Sequence, residues 1–307
     1  MAAVLSSCRT RVCQCAFANS RIEAAANVAE LLDIRKTVAK LLGLSCFTAH
    51  VRTLMTLAAP ERRVLPSEIS LGIVCPMANE EATAEDFIEQ VLNRCDQTGF
   101  QSIKFFVIID RASRDRTLDI LQAHATRQVR LKVIWAPENR SVVDAYVRGY
   151  REAVAAGCDW ILEIDGGFSH QPSDIPQFFA TMSEGYECVF GSRFMTGGRF
   201  EDAPRQRFWI SRGGTLITNL MLGTKLTDMT SGFELFSRAA LESVLERGIN
   251  SRGPFFQTEI KTYCRNLRVA EVPIHYCSPS HNVNRASITD ALSNLLRLFR
   301  LRLSGQL

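Results

Sequence analysis

The sequence predicts an α/β fold with a mostly parallel central sheet and helices on both faces. Two observations predict it. Between residues 69 and 164, four short apolar runs alternate with stretches of helical spacing. Strands separated by helix-length crossovers pair in parallel and are covered on both faces. Polar clusters follow three of those runs, and parallel sheets bind ligands at the carboxyl ends of their strands.

Residues 69–75 form an apolar run closed by Pro76, a strand by pattern. Residues 80–95 carry Phe87, Val91, Leu92 and Cys95 at helical spacing. Residues 103–109 are apolar except for Lys104, as in a buried parallel strand. A helix is predicted over 115–125, a strand over 131–135, a helix over 142–156 and a fourth strand over 160–164. Gln257, Thr258 and Glu259 fall on a predicted helix behind Phe255 and Phe256. Residues 288–303 read as a last helix. Ile288, Leu292, Leu295, Leu296 and Phe299 share a broad apolar face, and Arg297, Arg300 and Arg302 lie late, where cations favour the helix dipole.

The 307 residues suffice for one large or two small domains. With 46% hydrophobic and 22% charged residues the chain can bury an ordinary globular core. A net charge of +4 is too mild to indicate a nucleic-acid partner. No apolar run reaches the ~18 residues of a membrane span. Ten cysteines are scattered, Cys75 and Cys188 inside apolar runs, which reads as buried free thiols in a reducing compartment. Cys13 and Cys15 lack the second pair that a zinc site requires. Three regions are expected: an extension over 1–66, helical or disordered and without an assigned role, a main domain over 67–287, and a basic amphipathic helix over 288–307.

The chemistry-bearing residues follow the strands. Pro76, Met77, Ala78, Asn79, Glu80 and Glu81 come after the first, Asp110 to Thr117 after the second, and Asp165, Gly166, Gly167, Phe168, Ser169 and His170 after the fourth. Each cluster alone reads as a helix cap with acidic residues assisting the dipole. Three at three strand ends read as one ligand crevice.

The ordered set resembles the family 2 glycosyltransferases, and within them the dolichyl- or polyprenyl-phosphate mannosyltransferase group. That group carries P-x-Y-N-E, D-D-G-S-x-D-G-T, D-x-D, G-S-R, S-R-G, D-x-T-S-G-F and E-V-P-I in this order. Here stand Pro76/Asn79/Glu80, Asp110…Ser113…Asp115…Thr117, Asp165, Gly191-Ser192-Arg193, Ser211-Arg212-Gly213, Asp228-Met229-Thr230-Ser231-Gly232-Phe233 and Glu271-Val272-Pro273-Ile274. The resemblance covers about residues 69 to 303. It implies the nucleotide-diphospho-sugar transferase (GT-A, Rossmann-like) fold. It also implies an inverting transfer of a hexose, mannose in the resembling enzymes, from a nucleotide-diphosphate sugar to polyprenyl phosphate.

By the same resemblance, Pro76, Ala78, Glu80, Ile109 and Asp110 would line the nucleoside pocket, with Gly166 and Arg285 also on the nucleotide-sugar. Asp165 would be catalytic and hold a divalent cation, Mg or Mn. Such a cation offsets the charge that grows on a leaving diphosphate. Arg193, Arg207 and Ser211 would hold the lipid phosphate, since guanidinium forks match phosphate oxygens. A lipid monophosphate is largely a dianion at neutral pH and needs no strong base to attack.

Three residues depart from the pattern. Arg111 replaces the second aspartate of D-D-G-S, Gly167 replaces the second aspartate of D-x-D, and Ile288 stands where the resembling enzymes have a lysine. Glu163, two residues before Asp165 and on the same side of an alternating strand, is the alternative metal ligand. A different donor or acceptor would accommodate these changes, and so would a non-catalytic nucleotide-sugar-binding relative. A nucleotidyltransferase is disfavoured because residues 76–81 contain no glycine. His170 reads as structural, and Phe168, Phe178 and Phe179 as core. The expected location is cytoplasmic, peripheral on the cytoplasmic face of a membrane, with the last helix meeting headgroups, packing on the domain or docking on a membrane-anchoring subunit.

Overall fold

The structure, a computed structural model, describes residues 64–201, 205–277 and 285–307. Residues 1–63 of the expected extension, and 278–284 of the loop before the last helix, lie outside the described residues. The first half runs β1 (Ser70–Pro76), α1 (Ala84–Asp96), β2 (Ser102–Ile109), α2 (Thr117–Ala125), β3 (Leu131–Trp135), α3 (Val142–Ala155) and β4 (Trp160–Glu163). The second half runs α4 (Ile175–Met182), β5 (Cys188–Ser192), β6 (Arg199–Glu201), α5 (Arg205–Leu222), β7 (Glu234–Ser237), α6 (Arg238–Arg247), α7 (Phe256–Tyr263), β8 (Val269–Pro273), β9 (His275–Cys277) and α8 (Arg285–Leu303).

Seven strands form one sheet in the order β3-β2-β1-β4-β7-β5-β8. Only β7 runs antiparallel to its neighbours, β4 and β5. The chain leaves β1 toward β2 and β3, then crosses back to place β4 on the other side of β1. That reversal opens a crevice at the carboxyl ends of β1, β2 and β4. A separate parallel pair joins β6 to β9, and His170 makes an isolated bridge to Tyr276.

Both sheet faces are covered, so the central strands are apolar on both sides. Leu71, Ile73, Cys75, Phe105, Val107 and Ile109 enter one core with α1 and α4, while Val74, Phe106 and Ile108 enter the other with α3, α6 and α7. Each fully buried large apolar side chain contributes about 1.5–3 kcal/mol. Gly149 sets how close α3 lies, for a Cβ there would stand 2.3 Å from Val74 Cγ1. The helix is capped by Ser141 and Asp144 in a reciprocal capping box.

Two helices start later than their apolar spacing predicts. α1 begins at Ala84 rather than 80, and α2 at Thr117 rather than 115, because the residues before them are engaged in loop-to-loop hydrogen bonds. α8 starts at Arg285 rather than 288 and packs on α5 through Leu222, Leu295 and Leu298. Arg302 Nη1 donates to the Leu220 and Met221 carbonyls, which closes the α5 C-terminus. Cys75, Cys95, Cys158, Cys188 and Cys264 are buried free thiols. Among the described residues no helix is long and apolar enough to cross a membrane.

Candidate active site

The loops after β1 and β2 are knitted together by the polar residues that the sequence placed there. Asn79 lies in the left-handed region at φ 61°; its N–H donates to Ser113 Oγ, and its side-chain amide donates to the Ala112 carbonyl. Asn79 Oδ1 accepts the Arg114 N–H at 3.0 Å. The Glu80 N–H donates to Thr117 Oγ1 at 2.8 Å, and the Glu81 N–H to Asp115 Oδ2 at 3.0 Å. The Thr117 hydroxyl, with backbone donors from Glu81 and Thr117, holds the Asp115 carboxyl down at about 2. Asn79, Glu81, Ser113, Asp115 and Thr117 thus build the rim rather than face the crevice.

Beside that rim lies a cavity of about 390 Å³, lined in part by Pro76, Ala78, Asp110, Arg111, Asn139 and Arg140. Asp110 is set by an Asx turn, its Oδ1 accepting the Ala112 N–H at 2.8 Å. Arg111 brings a cation to this wall. Ile109 departs from the expectation that it lines the pocket: its side chain is fully buried in the core, and its carbonyl accepts the Ala136 N–H. Gly166 lets the turn after β4 lie against the end of β1, since a Cβ there would meet Met77 Cγ at 3.0 Å.

The end of β4 is held by two tyrosines. Residues two apart on a strand and four apart on a helix share nearly the same spacing. Tyr150 donates to Glu163, and Tyr146, one turn earlier on α3, donates to Asp165. Burial keeps both phenols protonated, as donors must be. The two carboxylates do share a side of the strand, but their surroundings differ. Glu163 is fully buried and also accepts from the Gln257 amide. Burial, then the facing Glu234 on β7, push its pKa well up. Glu163, the alternative metal ligand drawn from the sequence, is thus enclosed, with Tyr150 and Gln257 on its carboxylate. Burial also pushes Glu234 up to about 7 against the Lys261 ammonium 3.2 Å away. Lys261 spends its donors on the Asp228 and Ser231 carbonyls and the Ser231 hydroxyl.

Asp165, by contrast, keeps 37% of its side chain exposed. Its N–H donates to His170 Nδ1 at 3.3 Å, which puts the imidazole proton on Nε2. Burial pulls His170 down to about 4, so the ring beside Asp165 is neutral at physiological pH. Position 167 offers no second carboxylate. Gly167 has φ +72°, and a Cβ on it would fall 2.3 Å from Glu80 Oε1, 2.5 Å from Oε2 and 2.6 Å from Cδ. Glu80 therefore turns toward the Asp165 turn rather than to the cavity wall. Among the described residues no three His, Cys, Asp or Glu side chains are gathered around a point. A cation bound with a diphosphate, however, takes only one or two carboxylates, the rest of its shell coming from phosphates and water. Asp165 is a carboxylate of that kind, partly open to water.

Across the crevice, the segments carrying Arg193 and Asp228 brace each other. Arg193 is 4% exposed and forks onto Asp228, Nε to Oδ2 at 2.7 Å and Nη2 to Oδ1 at 2.9 Å. Burial alone would raise Asp228, but Arg193 and Lys261 hold it far below the carboxylate range. The Glu271 carboxylate accepts the Thr227 and Asp228 N–H groups. Ser192 and Thr227 hydroxyls pair at 2.6 Å.

Tyr276 gathers two arginines, Arg193 and Arg207. Arg207 Nη2 donates to its hydroxyl at 3.1 Å, and the guanidinium carbons of Arg193 and Arg207 lie 5.3 and 5.7 Å from its ring. The same ring stands 5.0 Å from His170 and stacks on Phe200. Asp165 and the two arginines are thus linked through His170 and Tyr276. Ser211 lies one turn beyond Arg207 on α5, and Arg285 is exposed at the first residue of α8. Tyr146, Tyr150 and Tyr276 were not singled out in the sequence. The four-residue spacing of Tyr146 and Tyr150 on a predicted helix was the available signal, since a buried phenol finds a partner.

The model of the family described as glycosyl transferase family 2 matches residues 72–245, more than half of the chain. The chain belongs to this family. It is a glycosyltransferase with the GT-A fold. It is 29% identical over 196 residues to an undecaprenyl-phosphate mannosyltransferase of Micrococcus luteus, covering 62% of this chain and 80% of the relative. It is 23% identical over 247 residues to a polyprenol monophosphomannose synthase of Mycolicibacterium smegmatis, covering 80% and 91%. A glucosyl-3-phosphoglycerate synthase of Mycobacterium tuberculosis, solved with UDP, shares the fold with a TM-score of 0.57 at 19% identity, over 78% of this chain and 83% of that one. The same enzyme has been solved with Mn2+ and UDP-glucose, with a TM-score of 0.55 at 19% identity, over 78% and 82% of the two chains.

Proposed function

We propose that this glycosyltransferase moves a hexose, mannose by resemblance, from a nucleotide-diphosphate sugar onto polyprenyl phosphate, with inversion at the anomeric carbon. One observation carries the reading: Asp165 on one wall and Arg193 with Arg207 on the other are joined through His170 and Tyr276. That arrangement suits two phosphate-bearing substrates meeting at one carbon. The names of the mannosyltransferase relatives support the same substrates.

In this reading Pro76, Ala78 and Asp110 hold the nucleoside in the cavity, with Arg111 and Arg140 at its wall. Arg207 and Ser211 bind the acceptor phosphate, and Arg193 both contacts it and anchors the loop through Asp228. The lipid phosphate attacks without a general base, and orientation by these groups supplies much of the rate. A divalent cation, Mg or Mn, held by Asp165 would offset charge on the leaving diphosphate. The acceptor implies a membrane surface. On α5 Trp209, Leu216 and Leu220 are 69%, 71% and 81% exposed, and on α8 Ile288, Leu292 and Leu296 are exposed beside it. Two packed helices with open apolar faces suit an interfacial dock, peripheral on the cytoplasmic face.

The test is transfer of label from a panel of nucleotide-sugars into organic-extractable polyprenyl phosphate, with and without Mg2+ or Mn2+. Label from one donor is expected. None from any donor, with folded protein, overturns the proposal.

A further inference from the structure

The loss of the second D-x-D carboxylate at Gly167 is matched by an intrusion. A side chain on Gly167 would start where the Glu80 carboxylate now sits, 2.3 to 2.6 Å from its three terminal atoms. The two positions compete for one volume. Gly167 also has φ +72°, where any other residue is strained. The Glu80 side chain is not adrift in that volume. Its backbone N–H is fixed by Thr117 Oγ1, and its Oε2 accepts the Thr83 hydroxyl at 2.7 Å. Its other oxygen is the atom nearest the vacant Cβ position. Burial pushes the Cys75 thiol up, and the charges of Asp165 and Glu80 add to that rise.

We propose that Glu80 is the second carboxylate of this enzyme's cation site, delivered from the β1 loop into the space left by Gly167. This rests on the donor being a nucleotide diphosphate, as argued above. Asp165 offers Oδ2, its other oxygen being engaged by Tyr146. Glu80 offers Oε1. The diphosphate and water complete the shell of an octahedral ion, which needs no third protein ligand. Carboxylates on two different loops also make cation binding report on how those loops meet. Asn79, Ser113 and Asp115, which knit the β1 and β2 loops, would then tune cation affinity without touching the ion.

The deciding measurement is Mn2+ binding to the purified full chain by electron paramagnetic resonance, in the presence of UDP or GDP and without lipid. Thermal melts establish that each variant is folded. Glu80→Gln, which keeps the shape and an acceptor for Thr83, is expected to weaken Mn2+ at least about tenfold, as is Asp165→Asn. Gly167→Asp should also weaken it while Glu80 is present, and should restore affinity in a Glu80→Ala background. Wild-type affinity in Glu80→Gln would overturn the proposal. So would tighter binding by Gly167→Asp alone, or no Mn2+ binding by the wild type. Nucleoside diphosphate binding measured in chelator separates these outcomes from a failure of the donor assignment.

Discussion

The two walls of the crevice are built by different physics. The wall at the ends of β1, β2 and β4 is held by neutral donors: the Ser113 and Thr117 hydroxyls and backbone amides on Asp115, Tyr146 on Asp165, and the Asn79 amide on the Ala112 carbonyl. The opposite wall is held by buried charge, Arg193 on Asp228 and Lys261 beside Glu234. Removing one partner of a buried pair strands a charge, whereas removing an exposed carboxylate strands nothing. Variants of the first wall should therefore damage chemistry with the fold kept, and variants of the second should damage the fold first.

Arg193→Ala gives the largest expected effect on stability, a loss of about 3–5 kcal/mol in urea unfolding. A well-folded Arg193→Ala protein with only a weakened acceptor site would break the comparison. His170 comes next. Its pKa falls from 6.5 to about 4 on folding, so the folded state resists its protonation. Its stabilising contribution is complete above 6.5 and is lost as pH falls toward 4. The stability gap between wild type and His170→Gln should narrow over that window, up to about 3 kcal/mol. A gap independent of pH would contradict the burial argument. Tyr276→Phe removes one hydrogen bond from Arg207, with an expected rise in acceptor KM of about tenfold and an unchanged donor KM. An effect on the donor alone would sever the link assigned to Tyr276. Smallest in stability is Leu216→Glu with Leu220→Glu, within about 0.5 kcal/mol for exposed sites, but with binding to anionic vesicles lost. Retained vesicle binding would move the dock away from α5.

Most of the sheet was legible because buried parallel strands write themselves as apolar runs. The strand at 131–135 has the same limits in sequence and structure. The antiparallel β7 was not legible, since four residues that open on a charged Glu234 carry no period. Helix starts at Ala84 and Thr117 were missed because apolar spacing ignores the hydrogen bonds that hold the preceding residues in loops. The positions of Asp165 and Asp110 followed from the rule of strand ends. Arg193's pairing did not, for Asp228 lies 35 residues away and nothing local ties the two. A still larger separation in sequence hid the meeting of His170 and Tyr276. Glu163 shows the opposite case: alternation gave its direction correctly, while its burial depended on Tyr150, Gln257 and Glu234 from three other elements.

Asp165→Asn tests the central claim most directly, with sugar transfer and thermal melting measured on the same samples. The substitution keeps the size of the side chain and an acceptor for Tyr146, and removes only the charge that the proposed function sets toward the donor. The account predicts transfer reduced by at least about a hundredfold with a melting temperature close to that of the wild type. Full transfer by Asp165→Asn, or a fold that collapses with the charge, would contradict it.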